Sequence, residues 1–122
     1  MAKYEITLKT NSKGEKFLYC FGEGFFQMED AQAYVDALKK EVSKVNPATT
    51  SLIIDSAESK PAAPDVVPLL VECTQIFHET PFKTKYYIKD KNIIATNQKK
   101  RTDDLGFFDS LTLIDSVDEV LK

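Results

Sequence analysis

A short, continuously apolar run, Leu52-Ile53-Ile54, constrains the fold of this chain more than any other feature. It is too short for a helix, and it lacks the apolar–polar alternation of a half-exposed strand. Such a run is typical of a strand that is covered on both faces, as in a parallel sheet. Amphipathic helical patterns precede it at residues 28–45 and follow it at residues 66–77. A buried strand between two helices predicts the α/β class.

The remaining segments extend this alternation. Residues 4–9 alternate apolar and polar side chains, and the aromatic-rich residues 17–21 predict a second strand paired antiparallel with the first. Residues 85–88 and 111–114 predict two more strands, and residues 92–101 predict a weaker helix between them. The order ββαβαβαβα predicts an α/β fold with a four- or five-stranded mixed sheet and helices packed on it.

The last helix has a recognisable start signal. In Ser116-Val117-Asp118-Glu119, the Ser116 hydroxyl can accept from the Glu119 N–H, and the Glu119 side chain can reach back to the Ser116 N–H. This capping box predicts a short C-terminal helix through Leu121.

Length and composition narrow the class of protein. The chain has 122 residues, which suits one domain spanning 1–122. A net charge of -3 gives no general attraction to nucleic acid or acidic lipid. No apolar run approaches the roughly 20 residues of a membrane helix, and no signal peptide is expected. Cys20 and Cys73 each lie among apolar residues, which favours reduced, buried thiols and a cytoplasmic location.

Side chains with catalytic or metal-binding chemistry are sparse. The single histidine, His78, has only Glu79 beside it, so no metal site is expected. His78 and Cys73 are five positions apart and point to different sides of a helix, which does not suit a nucleophile and its base. Gly22-Glu23-Gly24 lacks the further residues of a dinucleotide or P-loop motif. We expect a non-enzymatic protein without a cofactor.

Two other groups have alternative interpretations. The basic run Lys99-Lys100-Arg101 is followed by Asp103 and Asp104, which favours a solvated helix face over nucleic-acid binding. Phe25-Phe26 and Phe107-Phe108 each follow a glycine, and one ring of each pair is expected to point into the core. The alternative for these pairs is an exposed ring that binds a partner.

The order of elements and three local sequences resemble the STAS domain, the family that includes bacterial anti-sigma factor antagonists. Phe21-Gly22-Glu23-Gly24 is similar to the family's turn before the first helix. Leu52-Ile53-Ile54-Asp55 is similar to its central strand, which typically ends in Asp. Residues 108–121 are similar to its closing strand and short acidic helix. The resemblance covers nearly the whole chain and implies a regulatory domain with a protein partner, such as an anti-sigma-type kinase.

One departure from the family is informative. The usual family loop carries Asp-Ser-Ser/Thr-Gly at the start of the second helix, and the partner kinase phosphorylates its second hydroxyl residue. Counted without gaps from Asp55, this quartet falls on Ala63-Pro64-Asp65-Val66, so Asp65 occupies the phosphorylated position. We expect Asp65 to be the N-cap of the second helix, bonded to the Val67 N–H and those beyond, with Pro68 as its third residue. A compatible alternative is that Asp65 imitates a permanently phosphorylated residue, although with one charge instead of nearly two.

The resemblance places the partner surface on the loop after the central strand, the start of the second helix and the turn before the first. Ser56 or Ser59 would be the substitute acceptor if phosphorylation persists. The alternatives are an assembly protein that forms homo-oligomers through an edge strand or aromatic pairs, and a small α/β enzyme that uses Asp55 and Asp65. The candidate partner-binding residues are Gly22, Glu23, Phe25, Asp55, Ser56, Ser59, Asp65 and Val66.

Overall fold

The computed structural model describes residues 2–56, 58, 60, 63–88 and 111–121, and it confirms the α/β class and the mixed sheet. The strands in these ranges are β1 (Lys3–Thr10), β2 (Lys16–Glu23), β3 (Thr50–Asp55), β4 (Lys85–Ile88) and β5 (Thr112–Ile114). The helices are α1 (Met28–Val42), α2 (Val67–Glu79) and α3 (Asp118–Leu121), with a 3-10 turn at Pro47–Thr49. The predicted helix at residues 92–101, the basic run, Phe107-Phe108 and Ser59 lie outside the described residues.

The described strands form one sheet in the order β1-β2-β3-β4-β5. β1 and β2 pair antiparallel, as predicted, and the other neighbouring pairs are parallel. The Asn11 side chain fixes the hairpin turn, because its Oδ1 accepts from the N–H groups of Lys13 (3.0 Å) and Glu15 (2.9 Å). Gly14 completes the turn with a φ of 80°, a conformation that favours glycine.

The sheet has a buried cluster on each face. Successive side chains of a strand point to opposite faces, so β3 directs Leu52 and Ile54 to one face and Ile53 to the other. All three are buried, as the apolar run predicts. The cluster beneath α1 and α2 comprises Leu18, Cys20, Leu38, Leu52, Ile54, Phe77, Phe82 and Tyr87. The opposite cluster, on which α3 packs, comprises Phe17, Tyr19, Ile53, Ile88 and Ile114.

Local side-chain hydrogen bonds stabilise the N-terminal starts of α1 and α3. The Asp30 carboxylate accepts from the Gln27 N–H at 3.0 Å, so an acidic side chain satisfies a donor at the start of α1. Half of the predicted capping box at α3 is present, since Glu119 accepts from the Ser116 N–H at 3.0 Å. The other half is wrong: the Ser116 hydroxyl accepts from the Asp118 N–H at 3.1 Å, and the Glu119 N–H donates to the Ser116 carbonyl.

The predicted N-cap of α2 is wrong. The cap position is Val66, which has helical dihedral angles and makes no side-chain cap bond, so Asp65 lies one residue before the cap. Pro68 is then the second helical residue and not the third. Because Pro68 has no N–H, it removes a donor that a capping side chain would otherwise satisfy. Val66 is only 3% exposed, and its burial fixes where the helix begins.

None of the helices in the described ranges combines the length and the apolar character that crossing a bilayer requires.

Candidate partner-binding groove

A groove of about 360 Å³ lies between the turn that joins β2 to α1 and the segment that precedes α2. Both segments leave the carboxyl ends of neighbouring parallel strands, where binding sites of open α/β sheets usually form. The groove therefore includes residues from each of the three segments that the resemblance assigned to a partner surface: Phe25 in the turn, Asp65 in the loop and Val66 at the predicted start of the second helix. Its lining residues are Phe25, Gln27, Met28, Glu29, Ala63, Asp65 and Val66.

Gly24 ties the β2–α1 turn to the loop after β3. Its N–H donates to the Glu58 carbonyl at 3.1 Å, and its own carbonyl accepts from the Lys60 N–H at 3.0 Å. Its φ of 81° lies in the left-handed region, where other residues are strained. These two backbone bonds fix the turn against the loop and so position Phe25 at the groove.

Gly22 determines which ring of the Phe25-Phe26 pair points inward. A Cβ on Gly22 would lie 3.2 Å from Cζ of Phe26, so the glycine leaves room for that ring. The Phe26 ring packs edge-to-face on Tyr34, with 5.9 Å between the ring centroids. Phe25 points outward and is 40% exposed. Phe26 thus packs internally, as expected for one ring of the pair. Phe25 is the exposed ring, as the alternative of an aromatic partner-binding surface requires.

Exposed apolar side chains and carboxylates both line the groove. Phe25 and Met28, which is 43% exposed, are two of the exposed large hydrophobic residues in the described part of the chain. Beside them lie the exposed acids Glu29 and Asp65. The Asp65 side chain does not cap α2, and it has no hydrogen bond or ion pair with any other described residue. The groove thus presents apolar contact area next to negative charge, which would complement an apolar segment with neighbouring lysine or arginine.

Asp55 belongs to a different site. Its carboxylate accepts a hydrogen bond from the Tyr19 hydroxyl, on the sheet face of the Ile53 cluster. Burial, with the bond to Asp55 second, raises the Tyr19 pKa well above its usual value, so the phenol remains a donor at neutral pH. Asp55 is not among the residues that line the groove, so the structure does not join Asp55 and Asp65 in one pocket. The alternative of an enzyme that uses both carboxylates therefore gains no geometric support.

The other candidate residues have different positions. Glu23 is the last residue of β2 and pairs with Lys3 of β1, and Ser56 directly follows β3. Of the proposed partner-binding residues, the groove brings together Phe25, Asp65 and Val66. The sequence analysis missed four lining residues. They are Gln27, Met28, Glu29 and Ala63. A helix beginning at residue 28 could have indicated the first three, because its first turn must lie beside Phe25, whereas Ala63 belongs to the segment that precedes α2.

Both cysteines are free thiols. Cys20 is buried, as expected, and its burial raises the pKa of the thiol well above the usual range. Cys73 is only partly buried, which corrects the expectation that both thiols are buried. Burial, reinforced by Glu72, raises its pKa to about 12. Neither thiol has the lowered pKa of a reactive cysteine.

Within the described ranges, no three His, Cys, Asp or Glu residues are grouped as metal ligands. No known family model matches the chain, and neither does any curated protein or solved structure.

Proposed function

We propose that this chain is a non-enzymatic protein–protein interaction domain of the STAS type, and that the groove beside Phe25 and Asp65 binds its partner. The observation that carries the proposal is the pair of exposed apolar side chains, Phe25 and Met28, next to the Asp65 carboxylate, which is exposed and has no bond to another described residue. The groove is formed by segments that the resemblance to anti-sigma factor antagonists implies for partner contact.

The composition of the groove suits a protein partner. Aromatic residues and methionine are enriched in protein interfaces, and an exposed methionine adapts to different partner shapes. The two backbone bonds of Gly24 hold the turn in place before binding, which reduces the entropy lost when a partner docks. Lys and Arg on the partner would meet Glu29 and Asp65, which favours fast and selective association.

Asp65 is the residue that connects the proposed binding site with regulation. A residue that capped α2 would be explained by stability alone, whereas the Asp65 carboxylate is exposed and makes no cap bond. We infer that it supplies a fixed negative charge at the position where STAS relatives gain one by phosphorylation. The charge is smaller than that of a phosphate, so the imitation is partial. The partner class that fits is an anti-sigma-type kinase.

The test is calorimetric titration of the chain with anti-sigma-type kinases from its own source. Phe25→Ala should weaken binding by tenfold or more, since truncating an interface anchor typically costs about 1–2 kcal/mol or more. Asp65→Asn should also weaken it while leaving the side-chain shape unchanged. The control is Leu113→Ala, because Leu113 is an exposed large hydrophobic residue on β5 and does not line the groove. Equal affinities for the native chain, Phe25→Ala and Asp65→Asn would refute the groove as the binding site.

Phosphate incorporation tests the fixed charge separately. With the kinase and ATP, Asp65→Ser should be labelled at residue 65, whereas the native chain should remain unlabelled there. The phosphorylated variant should resemble the native chain in affinity, and the unphosphorylated variant should differ. Stable labelling of Ser56 or Ser59 in the native chain would show that phosphorylation occurs at another residue, and would overturn the proposal that Asp65 holds the domain in one permanent state.

A further inference from the structure

The outer edge of β1 is a second candidate interaction surface. β1 is an eight-residue strand at the edge of the described sheet, where it pairs with β2. Its side chains Tyr4 (42% exposed) and Leu8 (52% exposed) are exposed large hydrophobic residues. A long edge strand with exposed apolar side chains is a template for pairing with another chain. None of the residues that line the groove belongs to β1.

The hairpin geometry defines which backbone groups face outward. The Asn11 N–H donates to the Glu15 carbonyl at 3.1 Å, and this pair continues the β1–β2 register. Because bonded and non-bonded pairs alternate in an antiparallel ladder, odd-numbered residues of β1 direct their N–H and C=O groups toward β2. The even-numbered residues direct theirs toward the open edge: Tyr4, Ile6, Leu8 and Thr10.

We propose that two copies of the chain associate through antiparallel pairing of their β1 edges, centred on Thr7. In this two-fold arrangement each face of the sheet continues into the other copy. This requires odd-numbered residues to lie opposite odd-numbered residues of the partner, and even-numbered residues opposite even-numbered ones. With Thr7 opposite the partner's Thr7, Ile6 lies opposite the partner's Leu8 on one face. Glu5 lies opposite the partner's Lys9 on the other face.

Charge complementarity supports this register. Centring on Thr7 creates two symmetric Glu5–Lys9 pairs, at non-hydrogen-bonded positions where opposing side chains are closest. Centring on Ile6 would place Lys3 opposite the partner's Lys9, and centring on Glu5 would place two carboxylates together. Opposite charges across a strand pair are stabilising and like charges are destabilising. The Thr7 register also aligns the exposed Leu8 with an apolar neighbour, Ile6.

Thr7 adds a second argument for the centre of the interface. Its hydroxyl oxygen is buried and has no hydrogen-bond partner among the described residues, which is uncommon for a buried polar group. Threonines that face each other across antiparallel strands commonly form a hydrogen bond. In the dimer, rotation about χ1 lets one Thr7 hydroxyl donate to the partner's Thr7.

Disulfide trapping tests the register directly. Opposing residues of a non-hydrogen-bonded pair have Cα atoms about 4.5 Å apart, within the disulfide range. Thr7→Cys should therefore form a covalent dimer under mild oxidation, whereas the native chain, with its own two cysteines, should not. Lys3→Cys is the matched control, because Lys3 is not part of the Glu5–Lys9 pairs and its offset of eight residues separates the two introduced thiols by roughly 26 Å along the strand. Cross-linking of Lys3→Cys equal to that of Thr7→Cys would overturn the proposed register.

A charge exchange tests the interface without a covalent bond. Sedimentation should show a concentration-dependent dimer of the native chain. Glu5→Lys or Lys9→Glu should each raise its dissociation constant about tenfold, since two attractive pairs become repulsive. The double variant Glu5→Lys/Lys9→Glu should restore dimerisation.

The Lys9 ammonium also lies 5.1 Å from the centre of the Tyr19 ring of its own chain, so thermal unfolding of each variant is recorded as a folding control. A native chain that stays monomeric at millimolar concentration would refute the dimer. Failure of a folded double variant to recover would refute the Glu5–Lys9 pairing.

Discussion

The phenol of Tyr19, in β2, donates a hydrogen bond to the carboxylate of Asp55, the last residue of β3. The bond joins two neighbouring parallel strands at the carboxyl end of β3, and Tyr19 is only 9% exposed. An aspartate at the end of a central strand, which the STAS resemblance assigned to a partner surface, is thus bonded within the sheet.

Removing this bond should destabilise the sheet. Tyr19→Phe keeps the ring but deletes the donor, and we expect a loss of about 1–2 kcal/mol in the free energy of unfolding, measured in urea. Asp55→Asn should cost less, because its amide oxygen still accepts from the phenol. The losses should be less than additive in the double variant, since both remove the same bond. Full additivity would mean that the two side chains do not interact in solution.

Gly22→Ala should destabilise the chain by overpacking. The added methyl would lie 3.2 Å from Phe26 Cζ, and shifting a packed ring typically costs about 1–3 kcal/mol. In a Phe26→Leu background the same substitution should cost less, because the smaller side chain leaves space. Chemical denaturation of the four proteins gives the coupling energy. An equal cost of Gly22→Ala in both backgrounds would show that Phe26 is not the obstacle.

Asp65→Ala should leave stability nearly unchanged, within about 0.5 kcal/mol, because the side chain makes no cap bond. Asn46→Ala is the matched comparison. The Asn46 Oδ1 accepts from the Ala48 N–H at 3.1 Å at the start of the 3-10 turn, and losing such a cap costs about 0.5–2 kcal/mol. Thermal denaturation of both variants tests this contrast. A loss of stability in Asp65→Ala equal to that in Asn46→Ala would show that Asp65 does cap α2.

Stability should fall as the pH rises above 9. Burial raises the pKa of Cys20 and Cys73 above the ordinary thiol value of 9.0. In alkali the unfolded chain therefore loses thiol protons that the folded chain retains. Each thiol that keeps its proton in the folded chain then lowers the free energy of unfolding by up to about 1.4 kcal/mol per pH unit. Below pH 9 the folded and the unfolded chain both keep their thiol protons, so this loss of stability is absent.

The control for this pH dependence is Cys20→Ala. The free energy of unfolding of this variant should be lower, because a buried group is lost. Its decrease with pH between pH 9 and 10.5 should be less steep, by up to the contribution of one thiol proton. Denaturant titrations at a series of pH values measure both quantities. A slope equal to that of the native chain would show that the Cys20 thiol is not protected.

The sequence predicted elements whose patterns are local. Residues 85–88 match β4, and the apolar run predicted a strand that proved to be buried on both faces. The cap of α2 could not be predicted in the same way, because the start of that helix depends on the burial of Val66 within the tertiary structure. The fold class thus followed from periodicity, whereas one helix boundary required packing.

The groove was predictable in outline and not in detail. Phe25 and Asp65 come from segments that leave adjacent strands, so their proximity follows from strand order. Met28 was missed because its exposure depends on the direction in which α1 leaves the turn. The bond of Asp55 could not be predicted, because its partner, Tyr19, lies 36 positions earlier in the chain. Long-range side-chain pairs of this kind have no signature in local sequence.

Asn11 joins distant parts of the chain. Besides fixing the hairpin turn, it donates from its side-chain amide to the Val120 carbonyl of α3 at 3.0 Å, across a separation of 109 residues. α3 has four residues, far fewer than an isolated helix needs to persist in water. Contacts across such a separation form only after most loop-closure entropy has been lost. Docking of α3 is therefore expected to be a late folding event, and pulse-labelled hydrogen exchange during refolding should show the α3 amides becoming protected after those of the hairpin.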